Sequence, residues 1–153
     1  MRIRPPVVED IEALVEMGLR MHSEGAYAFL PYERDKVSRL VRSYVDDSAT
    51  QCGLVAEVDR TLVGMLGGYL TEYFFCSEVV ACDMVLFVDQ PYRRGQAAVR
   101  LVRAFRDWAL GRGARELCLA ISTNVNAEDT GRFYERLGFT RVGGIYKQRL
   151  RAD

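Results

Sequence analysis

The stretch VDQPYRRGQAAVRLV, residues 88–102, ends a hydrophobic run and then groups Arg93, Arg94 and Gly95 ahead of a long segment with apolar residues at helical spacing. A loop of this kind opens a helix near Gln96. The N–H groups of a first helical turn have no intrahelical partner and lie at the positive end of the helix dipole, so such a terminus accepts anions. Gly95 lets a bulky ligand approach the main chain, the two arginines add charge, and small Ala97 and Ala98 keep the first turn low. The grouping suits a pyrophosphate; the alternative is a turn glycine flanked by two solvated arginines. Neither a P-loop nor a GxGxxG fingerprint is present, which removes support from the usual nucleotide-binding alternatives.

The elements that must position this loop follow from periodicity. MRIR before two prolines reads as a short strand, and Ile11, Leu14, Val15, Leu19 and His22 share one helical face. Val37, Leu40, Val41, Tyr44 and Val45 predict a second helix over roughly residues 33–47. CGLVAEV and TLVGMLGGYLTEYFF read as strands around an Asp59-Arg60 hairpin turn, and CDMVLFV as a third strand leading into the arginine loop. Beyond Gly95, residues Ala98, Leu101, Val102, Phe105, Trp108 and Ala109 form an apolar stripe that Gly111 and Gly113 stop. RELCLAIST then reads as a buried strand, AEDTGRFYERLG as a helix closed by Gly138, and FTRVGG and IYKQRL as terminal strands. The expected order is β, α, α, β, β, β, α, β, α, β, β, within one domain over residues 1–153.

Composition limits the partners. The 153 residues are 49% hydrophobic and 27% charged, enough for one core and too few for two. Basic and acidic residues balance at 21 each, so no global field draws the chain to nucleic acid or to an anionic membrane, and any positive site must be local. One histidine and scattered cysteines give no metal-ligand spacing. Cys52, Cys76, Cys82 and Cys118 lie in hydrophobic segments without CxxC pairing and read as small core residues of a reducing compartment. With no signal-like N-terminus and no run long enough to span a bilayer, the expectation is a cytoplasmic protein.

The strand MVLFV, the loop PYRRGQAA with its long helix, and the downstream RFYERLGF together resemble the GNAT family of acyl-CoA-dependent N-acetyltransferases, over almost the whole chain. The resemblance implies an α/β (α+β) fold with a mixed sheet of six to seven strands and about four helices. It implies acetyl-CoA as co-substrate, no metal, and a small-molecule or protein amine as acceptor. In that family the loop reads Gln or Arg, two residues, Gly, one residue, then Gly or Ala, and its amides hold the coenzyme A pyrophosphate. Here Tyr92 replaces the first anchor, while Gly95 and Ala97 match. The same resemblance assigns cofactor contacts to Arg93, Arg94, Gly95, Gln96, Ala97 and Ala98, and pairs the main chain of Leu86, Phe87 and Val88 with the pantetheine arm. It makes Tyr134 the general acid that protonates the departing thiolate, a role suited to a phenol. The family's Asn, seven residues before the Tyr, falls on Ala127; Asn126, one residue earlier, either reaches the cofactor or caps a helix.

The acceptor amine must lose a proton before it attacks. Glu72, Glu78 and Asp83 are base candidates that read equally well as surface charges, and His22 reads as a packing residue. SEGAYAFLPYERD and LTEYFFCSEVV supply Tyr27, Phe29, Tyr32, Tyr73, Phe74 and Phe75, which would line an acceptor pocket or bury a homodimer contact. The expected function is direct transfer of an acetyl group to an amine. Alternatives are a GNAT-fold module that holds an acyl-CoA or a protein partner without turnover, and a transferase for another acyl chain or a protein lysine.

Overall fold

The computed structural model describes residues 1–46 and 48–150. Five strands form one sheet in the order β1 (Arg2–Arg4), β2 (Gln51–Val58), β3 (Thr61–Glu72), β4 (Val79–Val88) and β5 (Glu116–Cys118). The first four are antiparallel neighbours; β5 runs parallel to β4. Helices α1 (Ile11–Glu24) and α2 (Arg34–Val45) cover one face, α3 (Ala97–Gly111) covers the other, and α4 (Ala127–Arg136) follows β5.

Each face buries its own cluster. Ile11, Leu14, Val15 and Met17 of α1 pack with Val41 of α2 on Val55, Met65 and Phe87. Leu101, Val102, Phe105 and Ala109 of α3 pack on Ala56, Val63, Leu66, Ala81 and Val88. The alternation expected of strands covered on both sides is therefore met. Asp59 and Arg60 close the β2–β3 hairpin with φ of 48° and 65°, the left-handed pair that a two-residue turn needs.

The centre of β3 is shaped by two glycines. A Cβ on Gly68 would stand 2.4 Å from the Phe105 ring, and one on Gly67 would stand 2.8 Å from the Tyr44 hydroxyl. Large aromatics thus lie directly on the backbone from both faces. At this point the β3–β4 register slips: Gly67 pairs with Val85 and Gly68 with Asp83, leaving Met84 as the extra residue. Val85 and Phe87 join the α1 cluster and Leu86 the α3 cluster, while Met84 accepts a contact from the Tyr44 hydroxyl of α2. The bulge therefore places Met84 and Val85 in succession on the α1–α2 side. Asp83 is left on the side of α3.

Three expectations are corrected. The sheet has five strands, not six or seven, because residues 139–150 form no strand. A strand needs a neighbour's edge, and among the described residues no segment beyond Cys118 is laid along one. Residues 140–150 are exposed and are held by side chains instead. The RELCLAIST strand shortens to Glu116–Cys118, and β3 ends at Glu72, so Tyr73 to Phe75 belong to the hairpin loop. Of the four cysteines only Cys52 is a core residue; Cys82 is half-buried, and Cys76 and Cys118 are exposed, one in that loop and one on the short edge strand.

Candidate active site

The β4–β5 ladder ends early. Register pairs run only from Val80 with Glu116 to Cys82 with Cys118, after which β5 departs and residues 83–88 of β4 have no neighbour on that side. The Asp83 carboxylate stands at the fork and accepts the Ala120 N–H at 2.8 Å, where a strand carbonyl would otherwise have done so. The splay opens a cleft of about 1010 Å³. It is lined by Arg94, Gly95, Ala98 and Val99, by Leu86 and Phe87, by Asp83 and Tyr134, and by Tyr27, Ser122 and Thr123.

At the first end, Asp89 leads through a short 3-10 turn into Gly95 and α3. The first turn of α3 carries neither an acidic residue nor a side-chain cap, whereas α1, α2 and α4 each begin with acids. Its N–H groups are thus left without a side-chain acceptor in that turn. Gly95 has an ordinary φ, and an added Cβ would meet only the Tyr92 carbonyl, at 3.2 Å. No backbone strain calls for the glycine, a side chain there would crowd only the Tyr92 carbonyl, and the residue lines the cleft.

The two arginines differ. Arg93 turns back: its Nε–H donates to the Val88 carbonyl at 2.8 Å, its guanidinium pairs with Glu24 of α1, and it lies over the Phe87 ring. Arg20 of α1 makes a second brace, donating twice to Asp89 at 2.9 and 2.8 Å. Arg93 therefore fixes the loop to α1, while Arg94 lines the cleft with no ion pair among the described residues. Ala97 is fully buried in the α3 cluster and Gln96 is exposed outside the cleft, so neither side chain is a lining group; Leu86, Phe87, Val88, Arg93, Arg94, Gly95, Ala98, Asn126 and Tyr134 all are.

At the fork, Tyr134 is held between Phe133 and Phe139 and is 8% exposed. Its hydroxyl makes no hydrogen bond among the described residues, and the side chain lines the cleft. Burial, helped by the nearby Asp83 charge, pushes the phenol above its ordinary pKa, so it keeps its proton through the neutral range. Burial also pushes the Asp83 carboxyl up to about 6, against the pull of the Ala120 amide. Asn126 stands at the N-terminus of α4 in the left-handed region with φ 45°; its side chain makes no capping bond, and it lines the cleft.

Of the carboxylates considered as bases, only Asp83 reaches the cleft. Glu78 pairs with Arg115 on the surface at 3.2 Å, and Glu72 ends β3 in solvent. His22 packs against Tyr32, with its Nε2 buried and unbonded. Among the six aromatics expected near an acceptor, Tyr27 alone lines the cleft. The Tyr32 hydroxyl donates to the Val15 carbonyl at 2.7 Å, and Phe74 and Phe75 project into solvent. Sequence reasoning missed Ser122 and Thr123, whose place depends on the backbone bond from the Ala26 N–H to the Thr123 carbonyl at 2.8 Å, which no local pattern announces. No group of three or more metal-ligating side chains occurs among the described residues, and no helix there is long and apolar enough to cross a membrane.

Comparison with known proteins identifies the family. The family described as Acetyltransferase (GNAT) family matches residues 19–139, and the chain belongs to it. Among curated proteins no sequence matches. An aminoglycoside acetyltransferase, AAC(6')-Iy, solved with a bisubstrate analogue of coenzyme A, is 18% identical with a TM-score of 0.78, covering 99% of this chain and 98% of its own. A protein from Bacillus halodurans described as a transcriptional regulator is 23% identical with a TM-score of 0.79, over 97% of this chain and 99% of its own. A ribosomal-protein-alanine N-acetyltransferase from Brucella melitensis is 19% identical with a TM-score of 0.72, over 98% and 100%. At these identities the likeness shows the fold.

Proposed function

We propose that the cleft binds acetyl-CoA and transfers its acetyl group to a primary amine of a small molecule or protein by direct attack. The observation that carries this reading is that Asp83 and Tyr134, two groups with opposed protonation at neutral pH, line one cleft at the point where β4 and β5 part. The cradle fits the group. The acid-free start of α3 and Arg94, unpaired among the described residues, suit a pyrophosphate, and the β4 edge up to Leu86 and Phe87, beyond which Arg93 takes the Val88 carbonyl, suits an amide-bearing arm laid alongside as an added strand.

Acetyl-CoA supplies an activated carbonyl and a thiolate leaving group. Asp83, raised to about 6 yet mostly ionised at pH 7, takes a proton from the acceptor ammonium, directly or through one water. The amine nitrogen then forms the new C–N bond as the C–S bond breaks, and the second proton that it sheds on becoming an amide passes through water to restore the Tyr134 phenol once that group has protonated the sulfur. Tyr134 gives its phenolic proton to the sulfur, and its neutral form is the one burial favours. Arg93 and Arg20 act at a distance by fixing the loop that carries the cradle.

The test is calorimetric titration with acetyl-CoA, coenzyme A and ATP, followed by coenzyme A release in the presence of primary amines. Micromolar acetyl-CoA binding without ATP binding is expected, and amine-dependent release is expected with it. Binding without release by any amine would favour a non-catalytic acyl-CoA-binding module.

A further inference from the structure

The groove between α3 and α4 does not end with the cleft. Ala98 and Val99 of α3 line the cleft, and one turn on, at i+4, Val102 and Arg103 line a second, smaller pocket of about 120 Å³. The same succession holds on α4: Phe133 lines the cleft, Leu137 the pocket, and Arg136 both. Phe133, Leu137 and Phe139 pack against the cluster that α3 buries, so the pocket continues the cleft along one face of each helix.

The pocket has the composition of an anion site. Val102 is buried and Leu137 and Phe139 are half-buried, while its three remaining lining residues are exposed arginines, Arg103 and Arg106 of α3 and Arg136 of α4. No acid lines it. One turn earlier on α4, Arg132 is neutralised by Asp129 and Glu128, but Arg103 and Arg136 have no ion pair among the described residues, and Arg106 meets only Asp107, at 3.5 Å. Three positive charges against that one carboxylate leave two, the charge that a phosphate monoester approaches above its second pKa of about 6. Guanidinium groups gathered in this way repel one another, and a dianion between them turns the repulsion into forked, charge-assisted hydrogen bonds.

Building on the acetyl-CoA reading, we propose that Arg103, Arg106 and Arg136 hold a phosphate monoester, and that its source is the 3′-phosphate on the ribose of the bound coenzyme A. With the pyrophosphate at the start of α3, Arg103 stands about 9 Å further along the helix axis than Ala97, a gap that the ribose and the length of an arginine side chain span together. Arg136, shared by the two cavities, lies on the path between the phosphates. The three arginines bind the donor and take no part in proton transfer. An acyl group carried on a protein-bound phosphopantetheine lacks this phosphate, so the pocket selects free acyl-CoA as the donor.

The experiment is calorimetric titration of the full-length protein at low salt with coenzyme A and with 3′-dephospho-coenzyme A. The wild type should bind coenzyme A roughly tenfold more tightly than the dephospho form, and the advantage should shrink as salt rises, as expected for charge-assisted contacts at an exposed site. Arg103→Gln should bring the two affinities together by lowering that for coenzyme A alone, and retained binding of the dephospho form shows that the variant is folded. Arg136→Gln should lower coenzyme A affinity more than dephospho affinity, whereas Arg94→Gln, at the pyrophosphate, should lower both by the same factor. Equal binding of the two ligands by the wild type, or an advantage that survives in the Arg103→Gln/Arg136→Gln double variant, would overturn the assignment and leave the transferase reading standing. Inorganic phosphate should not bind to the coenzyme A-saturated wild type; binding that Arg103→Gln removes would give the pocket to a separate phosphate and likewise overturn the 3′-phosphate as its occupant. Failure of the wild type to bind either form of coenzyme A would bring down both readings.

Discussion

The two ends of the cleft are built from different materials. The end at α3 uses one continuous stretch, residues 83–99, and mostly its main chain: the open edge of β4, the N–H groups of an acid-free helix start, and a glycine that leaves space. The opposite wall is lined from distant segments, Tyr27 after α1 and Ser122 and Thr123 after β5, that only the fold brings together. A main-chain site survives most side-chain changes as long as the turn is kept, so Tyr92 can stand where the family has Gln or Arg. A side-chain site changes chemistry with a single residue. One fold can thereby keep its co-substrate while exchanging its acceptor.

The sharpest way to break this division lies between the two ends, at the fork. Tyr134→Phe should lower kcat by about a hundredfold or more while leaving the acetyl-CoA dissociation constant unchanged, since only the proton donor is lost. Equal kcat in the two proteins would remove Tyr134 from the chemistry. Asp83→Asn should cost a similar factor, on the order of a hundredfold. With the acceptor saturating, wild-type kcat should be level above the Asp83 pKa of about 6 and fall as pH drops through it, because the protonated carboxyl cannot accept a proton. The variant should lack that limb; a limb that persists would place the base elsewhere.

Smaller effects separate the arginines and the glycine. Arg94→Ala should weaken acetyl-CoA binding by about tenfold, with the loss growing at low salt. Arg93→Ala should show up chiefly as a lower melting temperature, since Arg93 is committed to Val88 and Glu24. A reversal of these two results would mean that the loop turns around when occupied. Gly95→Val should also weaken acetyl-CoA by roughly tenfold through lost space at the cradle, without changing acceptor affinity. The smallest effect expected is in the β2–β3 turn, far from either end. Arg60 holds φ 65° there, so Arg60→Gly should raise stability by about 0.5–1 kcal/mol with kinetics unchanged, seen as a small rise in denaturation midpoint.

The sequence by itself determined the helices, the four antiparallel strands, the Asp59-Arg60 turn and the arginine-glycine loop at the head of α3. These are local: period, turn residues and end signals lie within a dozen positions of one another, and the main chain obeys them wherever the segment sits. The family motifs likewise pointed to Tyr134 and Gly95. Tertiary structure decided the rest. FTRVGG and IYKQRL have strand composition, but a strand exists only against another edge, and among the described residues neither segment is laid along one. Asp83, Glu72 and Glu78 read alike as letters; only the bulge at Met84 sends the first to the side of α3 and into the cleft. Arg93 and Arg94 are adjacent and identical, yet Glu24, 69 positions before Arg93, takes one and leaves the other. A side chain's chemistry is set by its nearest charges and by its access to water, and both are properties of contacts between segments that the order of residues does not display.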